Sequence, residues 1–188
     1  MVRIYTLTLA PSLDSATITP QIYPEGKLRC TAPVFEPGGG GINVARAIAH
    51  LGGSATAVFP GGATGEHLVS LLAHENVPVA TVEAKDWTRQ NLHVHVEASG
   101  EQYRFVMPGA ALNEDEFRQL EEQVLEIESG AILVISGSLP PGVKLEKLTQ
   151  LISAAQKQGI RCIVDSSGEA LSAALAIGNI ELVKPNQK

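Results

Sequence analysis

Residues 131–142 read Ala131-Ile132-Leu133-Val134-Ile135-Ser136-Gly137-Ser138-Leu139-Pro140-Pro141-Gly142. Four consecutive apolar residues, Ile132–Ile135, suit a strand buried on both faces, and the Gly and Pro residues that follow turn the chain. Leu145, Leu148, Leu151, Ile152 and Ala155 then recur on one side of a helix that Gly159 stops. Ile160–Val164 reads as the next strand, Ala170–Ile177 as a short helix and Ile180–Val183 as a last strand. Short apolar strands alternating with helices make a largely parallel sheet covered on both faces, which sets the fold class as α/β.

Towards the N-terminus the rhythm continues with two interruptions. Val2–Leu9 alternates like a strand, and Ala10-Pro11-Ser12-Leu13-Asp14 turns the chain. Glu36-Pro37-Gly38-Gly39-Gly40-Gly41 is a breaker cluster. A helix is expected from near Asn43, with Val44, Ala47, Ile48 and Leu51 at helical spacing and Gly52-Gly53 at its end. Ala55–Phe59 reads as a buried strand, Gly61–Gly65 as a turn into a helix marked by Leu68, Leu71 and Leu72, and Val79–Glu83 as another strand. Asn113, with Glu116 three residues on, forms a capping-box pair ahead of a stripe of Phe117, Leu120, Val124 and Ile127. The interruptions are hairpin patterns. Thr17–Thr31 is rich in Thr and Ile and is broken by Pro24-Glu25-Gly26. Leu92, Val94 and Val96 alternate with His93, His95 and Glu97 before a Ser99-Gly100 turn and a return over Tyr103–Val106. The expected organisation is one α/β domain over 1–188 with a small β lid inserted twice, over 17–34 and 88–107.

Open α/β sheets bind ligands past the carboxyl ends of their strands. That singles out Asp14, the Gly38–Asn43 loop, Gly61–Gly65, Gly137-Ser138, Asp165 and Lys184–Asn186. Four glycines ahead of a helix let backbone N–H groups approach a ligand closely, and the helix N-terminus adds partial positive charge; a flexible loop is the plain alternative. The dinucleotide fingerprint is not met. It demands glycine at position 44 counting from Gly39, where Val44 stands, and at position 43 from Gly38, where Asn43 stands. No Walker A motif occurs either, so a dinucleotide-binding oxidoreductase is the weak competitor. Asp14 is either a turn residue or a carboxylate that accepts hydrogen bonds from two sugar hydroxyls. Ser138 can hold a phosphate or cap the next helix. Arg89 can grip phosphate with its fork or lie exposed at a strand end. His93 and His95 lack a third ligand and read as ordinary strand residues, so no metal site is expected.

Composition excludes several function classes. The 188 residues are 44% hydrophobic and 18% charged, as in a globular protein with one good core. A net charge of −6 argues against nucleic acid or an anionic membrane as the main partner. No apolar run approaches the ~20 residues that cross a bilayer, and Met1-Val2-Arg3-Ile4-Tyr5 has no signal-peptide architecture. Cys30 and Cys162 are far apart with no C-x-x-C spacing, which fits two reduced thiols in a cytoplasmic protein.

Together these segments resemble the PfkB (ribokinase-like) family of carbohydrate kinases. Gly39-Gly40-Gly41-Ile42-Asn43-Val44-Ala45, with Gly52 and Gly62 further on, is similar to the first family signature. Ser136-Gly137-Ser138-Leu139-Pro140 resembles the hexose-phosphate branch, and Val183-Lys184-Pro185-Asn186 the family's nucleotide-proximal strand end. The resemblance covers the whole chain. Within the branch it points to 6-phosphofructokinases of the minor type, because relatives acting on fructose 1-phosphate or tagatose 6-phosphate usually carry Lys where Gly40 stands. The Gly61-Gly62 turn is one residue shorter than the pattern.

The resemblance implies a ribokinase-like fold and transfer of the ATP γ-phosphoryl to the 1-hydroxyl of fructose 6-phosphate, with Mg2+ as cofactor. It implies that Asp14, Gly38, Gly39 and Asn43 hold the sugar, that Arg89 and Ser138 hold its 6-phosphate, and that Lys27, Lys184 and Asn186 lie near ATP. It also implies a lid that pairs two subunits as a β-clasp. The family's catalytic Asp belongs to a Gly-Ala-Gly-Asp motif, and no such motif occurs in the 188 residues. The expectation is therefore a chain without the family's C-terminal part and without turnover of its own, with a non-catalytic sugar-phosphate-binding fragment as the alternative.

Overall fold

The computed structural model describes residues 2–184 of the chain. Six strands form one parallel sheet: β1 (Ile4–Leu7), β4 (Thr56–Gly61), β5 (Val79–Glu83), β8 (Ile132–Ser136), β9 (Arg161–Asp165) and β10 (Leu182–Val183), in the order β10-β9-β8-β1-β4-β5. The chain leaves β1 towards β4 and β5, then returns to the other side of β1 with β8. The order therefore reverses at the β1/β8 crevice, where open α/β sheets place their ligands.

Two helices cover one face, α1 (Gly40–His50) and α2 (Gly65–His74). Three cover the other, α3 (Glu114–Leu125), α4 (Leu145–Lys157) and α5 (Gly168–Ile177). Strand periodicity divides the core accordingly. Ala57 and Phe59 of β4 pack with Ile42, Leu68 and Leu72, whereas Val58 packs with Phe117, Leu120, Leu133 and Leu151 on the far face. The capping box at α3 is formed on both sides, Glu116 N donating to Asn113 Oδ1 at 2.9 Å and Asn113 N to Glu116 Oε2 at 2.8 Å. Among the described residues no helix is long and apolar enough to cross a membrane.

A second sheet of four strands rises from the carboxyl end of the first. It contains β2 (Ser12–Thr19), β3 (Val34–Gly38), β6 (Arg89–Val96) and β7 (Gln102–Phe105) in the order β3-β2-β6-β7. The β2/β3 and β6/β7 pairs are antiparallel hairpins, while β2 and β6 join them through eight parallel rungs from Ser12↔Arg89 to Thr19↔Val96. The first hairpin starts at Ser12 and returns only at Val34, so it is wider than the expected 17–34 segment, with residues 20–33 running between its strands. Helix α1 starts at Gly40 rather than near Asn43, because the last two glycines of the run form its first turn.

Candidate functional site

The glycine bend is fixed by what surrounds it. Gly38 ends β3 opposite Ser12, and a Cβ there would run into Asp14 Oδ2 and Ser12 Oγ. Gly39, the N-cap of α1, has φ +119°, a backbone that L side chains rarely adopt. A Cβ on Gly40 would run into Ser136 Oγ and lie 2.8 Å from Gly137 N, so α1 abuts the end of β8. Thr8, one residue past β1, accepts the Ile42 N–H with its Oγ1 at 2.9 Å. The N-terminus of α1 thus sits over the β1/β8 crevice. The first amides of a helix have no intrahelical acceptor, and no side chain caps Gly39, so the N–H of Gly40, a half-buried residue lining the adjoining cleft, remains for a ligand.

Asp14 stands beside this bend on β2, half-buried. Its Oδ1 accepts the side-chain amide of Asn91, from the facing rung of β6, at 2.8 Å. Asn91 is 7% exposed, and its own Oδ1 accepts from Met107 N at 3.0 Å. Both ends of that amide are occupied, which leaves Asp14 Oδ2 facing the bend.

Arg89 begins β6 opposite Ser12. Its fork is turned onto backbone, Nη1 donating to Met107 O at 2.8 Å and Nη2 to Ala10 O at 3.1 Å. Its Nε is buried and has no partner among the described residues. Carbonyl acceptors carry no net charge, so the guanidinium charge is not cancelled there. The Gly61–Gly65 turn supports this strand start from outside: Thr64 Oγ1 donates to Thr88 O at 2.6 Å, and Gly62 N donates to Thr88 Oγ1 at 3.4 Å.

On the other side of the bend lies a cleft of about 420 Å³ lined by Gly40, Ser136–Ser138, Leu139, Asp165–Ser167 and Ala170. Ser138 is exposed in it. Ser136 Oγ donates to Asp165 Oδ2 at 3.1 Å, and Lys184 Nζ donates to Asp165 Oδ1 and Oδ2 at 3.3 and 3.4 Å. Asp165 thus already accepts from Ser136 and Lys184 at the edge of the cleft, and a lone carboxylate of this kind would hold Mg2+ only together with substrate phosphates. Among the described residues no cluster of three or more His, Cys, Asp or Glu is arranged to hold a metal by protein groups alone.

The structure therefore brings together Asp14, Gly38, Gly39, Arg89 and Ser138, with Asn43 exposed in the first turns of α1. Lys27 is elsewhere. It belongs to the 20–33 segment at the far tip of the first hairpin, where its carbonyl accepts from Tyr23 Oη at 3.2 Å. Asp14 and the end of β2 at Thr19 are five residues apart, roughly 17 Å of extended chain. Lys184 lies beside the cleft, and Asn186 is outside the described residues. Two site-shaping residues carried no sequence signal: Asn91, which falls at a polar position of the Leu92–Val96 alternation, and Arg46, on the flank of α1.

The profile of the pfkB family carbohydrate kinases matches residues 7–188. The chain is 98% identical, over 189 aligned positions, to ATP-dependent 6-phosphofructokinase isozyme 2 of Escherichia coli (strain K12), covering all of this chain and 61% of that protein. It is 42% identical to the isozyme 2 enzyme of Mycobacterium tuberculosis (strain H37Rv) over 90% of this chain and 50% of that one. Its fold superposes with a TM-score of 0.96 on the crystal structure of Escherichia coli phosphofructokinase-2 in complex with fructose-6-phosphate, at 98% identity, covering 100% of this chain and 62% of that chain. The chain thus spans about half to three-fifths of the length of these relatives.

Proposed function

The chain belongs to the pfkB family of carbohydrate kinases, and from that premise we propose that it is the sugar-binding portion of an ATP-dependent 6-phosphofructokinase acting on fructose 6-phosphate. The observation that carries this reading is the meeting of the Asp14 carboxylate with the Gly38–Gly41 bend under the four-stranded sheet. A carboxylate fixed by Asn91 accepts hydrogen bonds from sugar hydroxyls. The open Gly40 amide of the bend, with Asn43, serves the sugar oxygens. Arg89 and Ser138 flank the bend on its two sides and take the 6-phosphate. Lys184 and Asp165 are assigned to the nucleotide phosphates, whose Mg2+ would offset charge on the transferring group.

The four-stranded sheet acts as a lid that excludes water from the sugar. Its exposed Val34, Phe35, Tyr103, Phe105 and Val106 are the side chains that a second copy would cover in a homodimer. Transfer to the sugar 1-hydroxyl needs a base and an anion hole, and no Gly-Ala-Gly-Asp occurs in these 188 residues. The chain by itself therefore binds sugar phosphate without turning over, since loss of a general base alone lowers rate ~10²–10⁴-fold. Calorimetric titration with fructose 6-phosphate tests the reading: saturable binding by the parent and its loss in Asp14→Ala support it, and equal binding by the two proteins removes Asp14 from the site. An ADP-release assay on the same protein distinguishes the binding portion from a self-sufficient kinase.

A further inference from the structure

A run of four glycines is costly to hold in one shape, because glycine loses more backbone freedom on ordering than any other residue. No side chain within the run can restrain it, so the restraint comes from outside. Arg46 lies one turn beyond Asn43 on α1 and reaches back past the bend, its Nη1 donating to Pro37 O at 2.9 Å. Pro37 is the residue immediately before Gly38. The rest of the guanidinium closes on Glu75, the C-cap of α2, with Nε donating to Oε2 at 2.7 Å and Nη2 to Oε1 at 2.8 Å. Both side chains are mostly covered, at 19% and 22% exposure. One planar group thus bridges the end of the lid strand β3, the body of α1 and the end of α2, with the bend enclosed between its anchor points. The Glu75 carboxylate pushes the guanidinium pKa up, so the charge is permanent.

We propose that Arg46 is a positioning residue for sugar binding, holding the Gly38–Gly41 bend in its binding shape before the ligand arrives. The inference rests on the reading that this bend holds the sugar. A merely stabilising ion pair would change resistance to urea and leave the affinity of folded molecules alone. A positioning brace shifts affinity as well, because the loosened loop must be ordered on binding.

The test uses the 188-residue chain with Arg46→Met, Arg46→Lys and Glu75→Gln, each checked for folding by circular dichroism. Fructose 6-phosphate affinity is measured by calorimetry, and ligand-free hydrogen exchange is followed at the Ile42 and Asn43 amides, both hydrogen-bonded in the parent. Folded Arg46→Met is expected to bind roughly tenfold more weakly or worse, with faster exchange at Asn43. Arg46→Lys falls between it and the parent, since an ammonium cannot reproduce the fork. Glu75→Gln moves both readouts in the same direction and decides the matter if Arg46→Met does not fold. Unchanged affinity in the folded variants overturns the proposal even if their urea midpoints fall. Failure of the parent to bind overturns the sugar reading itself. Exchange at Asn43 then judges the brace alone: faster in the variants supports it, unchanged overturns it.

Discussion

The side-chain amide of Asn91 donates to Asp14 Oδ1 at 2.8 Å across the parallel β2/β6 pair, joining residues 77 positions apart. The same side chain accepts the Met107 N–H. One buried amide therefore orients the candidate sugar carboxylate and pins the chain that leaves the second hairpin.

Asn91→Leu removes both bonds and leaves Met107 N–H and one Asp14 lone pair without their partner, a loss of ~1–3 kcal/mol of stability for each group that stays buried. Asn91→Asp puts a second carboxylate against the first, and like charges at that distance disfavour joint ionisation. Fructose 6-phosphate titration of the folded variants is expected to show weaker binding in both, with the larger loss for Asn91→Asp at neutral pH. Parent-like affinity in Asn91→Asp would show that Asp14 needs no such orientation.

Gly40→Ala, at the first helical position of α1, places a methyl group against Ser136 and 2.8 Å from Gly137 N. Overpacking of this kind costs ~1–3 kcal/mol, so the urea midpoint should fall. The displacement also lifts α1 off the end of β8 and should weaken sugar-phosphate binding. A midpoint equal to or above the parent's would mean that the β8 turn yields freely.

Glu116 is buried at 6% exposure and spends both carboxylate oxygens on backbone, one on Asn113 N and the other on Lys85 N at 2.7 Å. Glu116→Ala strips the α3 cap and the anchor of the segment after β5 together, an expected loss of ~2–4 kcal/mol by equilibrium unfolding. Glu116→Gln keeps an acceptor for one of the two and should lose less.

Burial pushes the Cys162 thiol up to about 11 from its ordinary 9.0, while Cys30 is exposed. The folded protein thus holds the Cys162 proton more tightly than the unfolded chain does. The stability this confers is complete below about pH 9 and is lost as pH rises towards about 11. A thiol reagent at pH 8 should titrate one cysteine in the native protein and two in urea; rapid modification of both in the native state would contradict the burial.

The α/β rhythm was legible because Ile132–Ile135 is an unbroken apolar run, Ile160–Val164 is interrupted only by Arg161, and Gly159, with φ +81°, ends α4 as a C-terminal glycine does. Local chemistry was legible too: the Asn113–Glu116 capping box needs only residues three apart. Partners far along the chain were not. Nothing near Arg46 names Glu75 or Pro37, and nothing near Asn91 names Asp14, because those pairings depend on strand register and helix docking. The expected lid segment over 17–34 starts short of the first hairpin for the same reason. Its strands extend back to Ser12 because β6 supplies a second partner there. The helix start near Asn43 was late because apolar spacing marks where a helix begins to bury side chains, whereas this one begins by presenting a bare amide.

The parallel seam between β2 and β6 also has a kinetic consequence. The two strands are neighbours in the four-stranded sheet, yet β3, α1, β4, α2 and β5 all lie between them in the chain. During synthesis the first strand must wait for the whole intervening segment before its rungs with β6 can close, so the four-stranded sheet matures after the half of the body that precedes β6. Contacts of such long sequence separation slow assembly, and in the interval β2 presents an unpaired edge to any other nascent chain nearby.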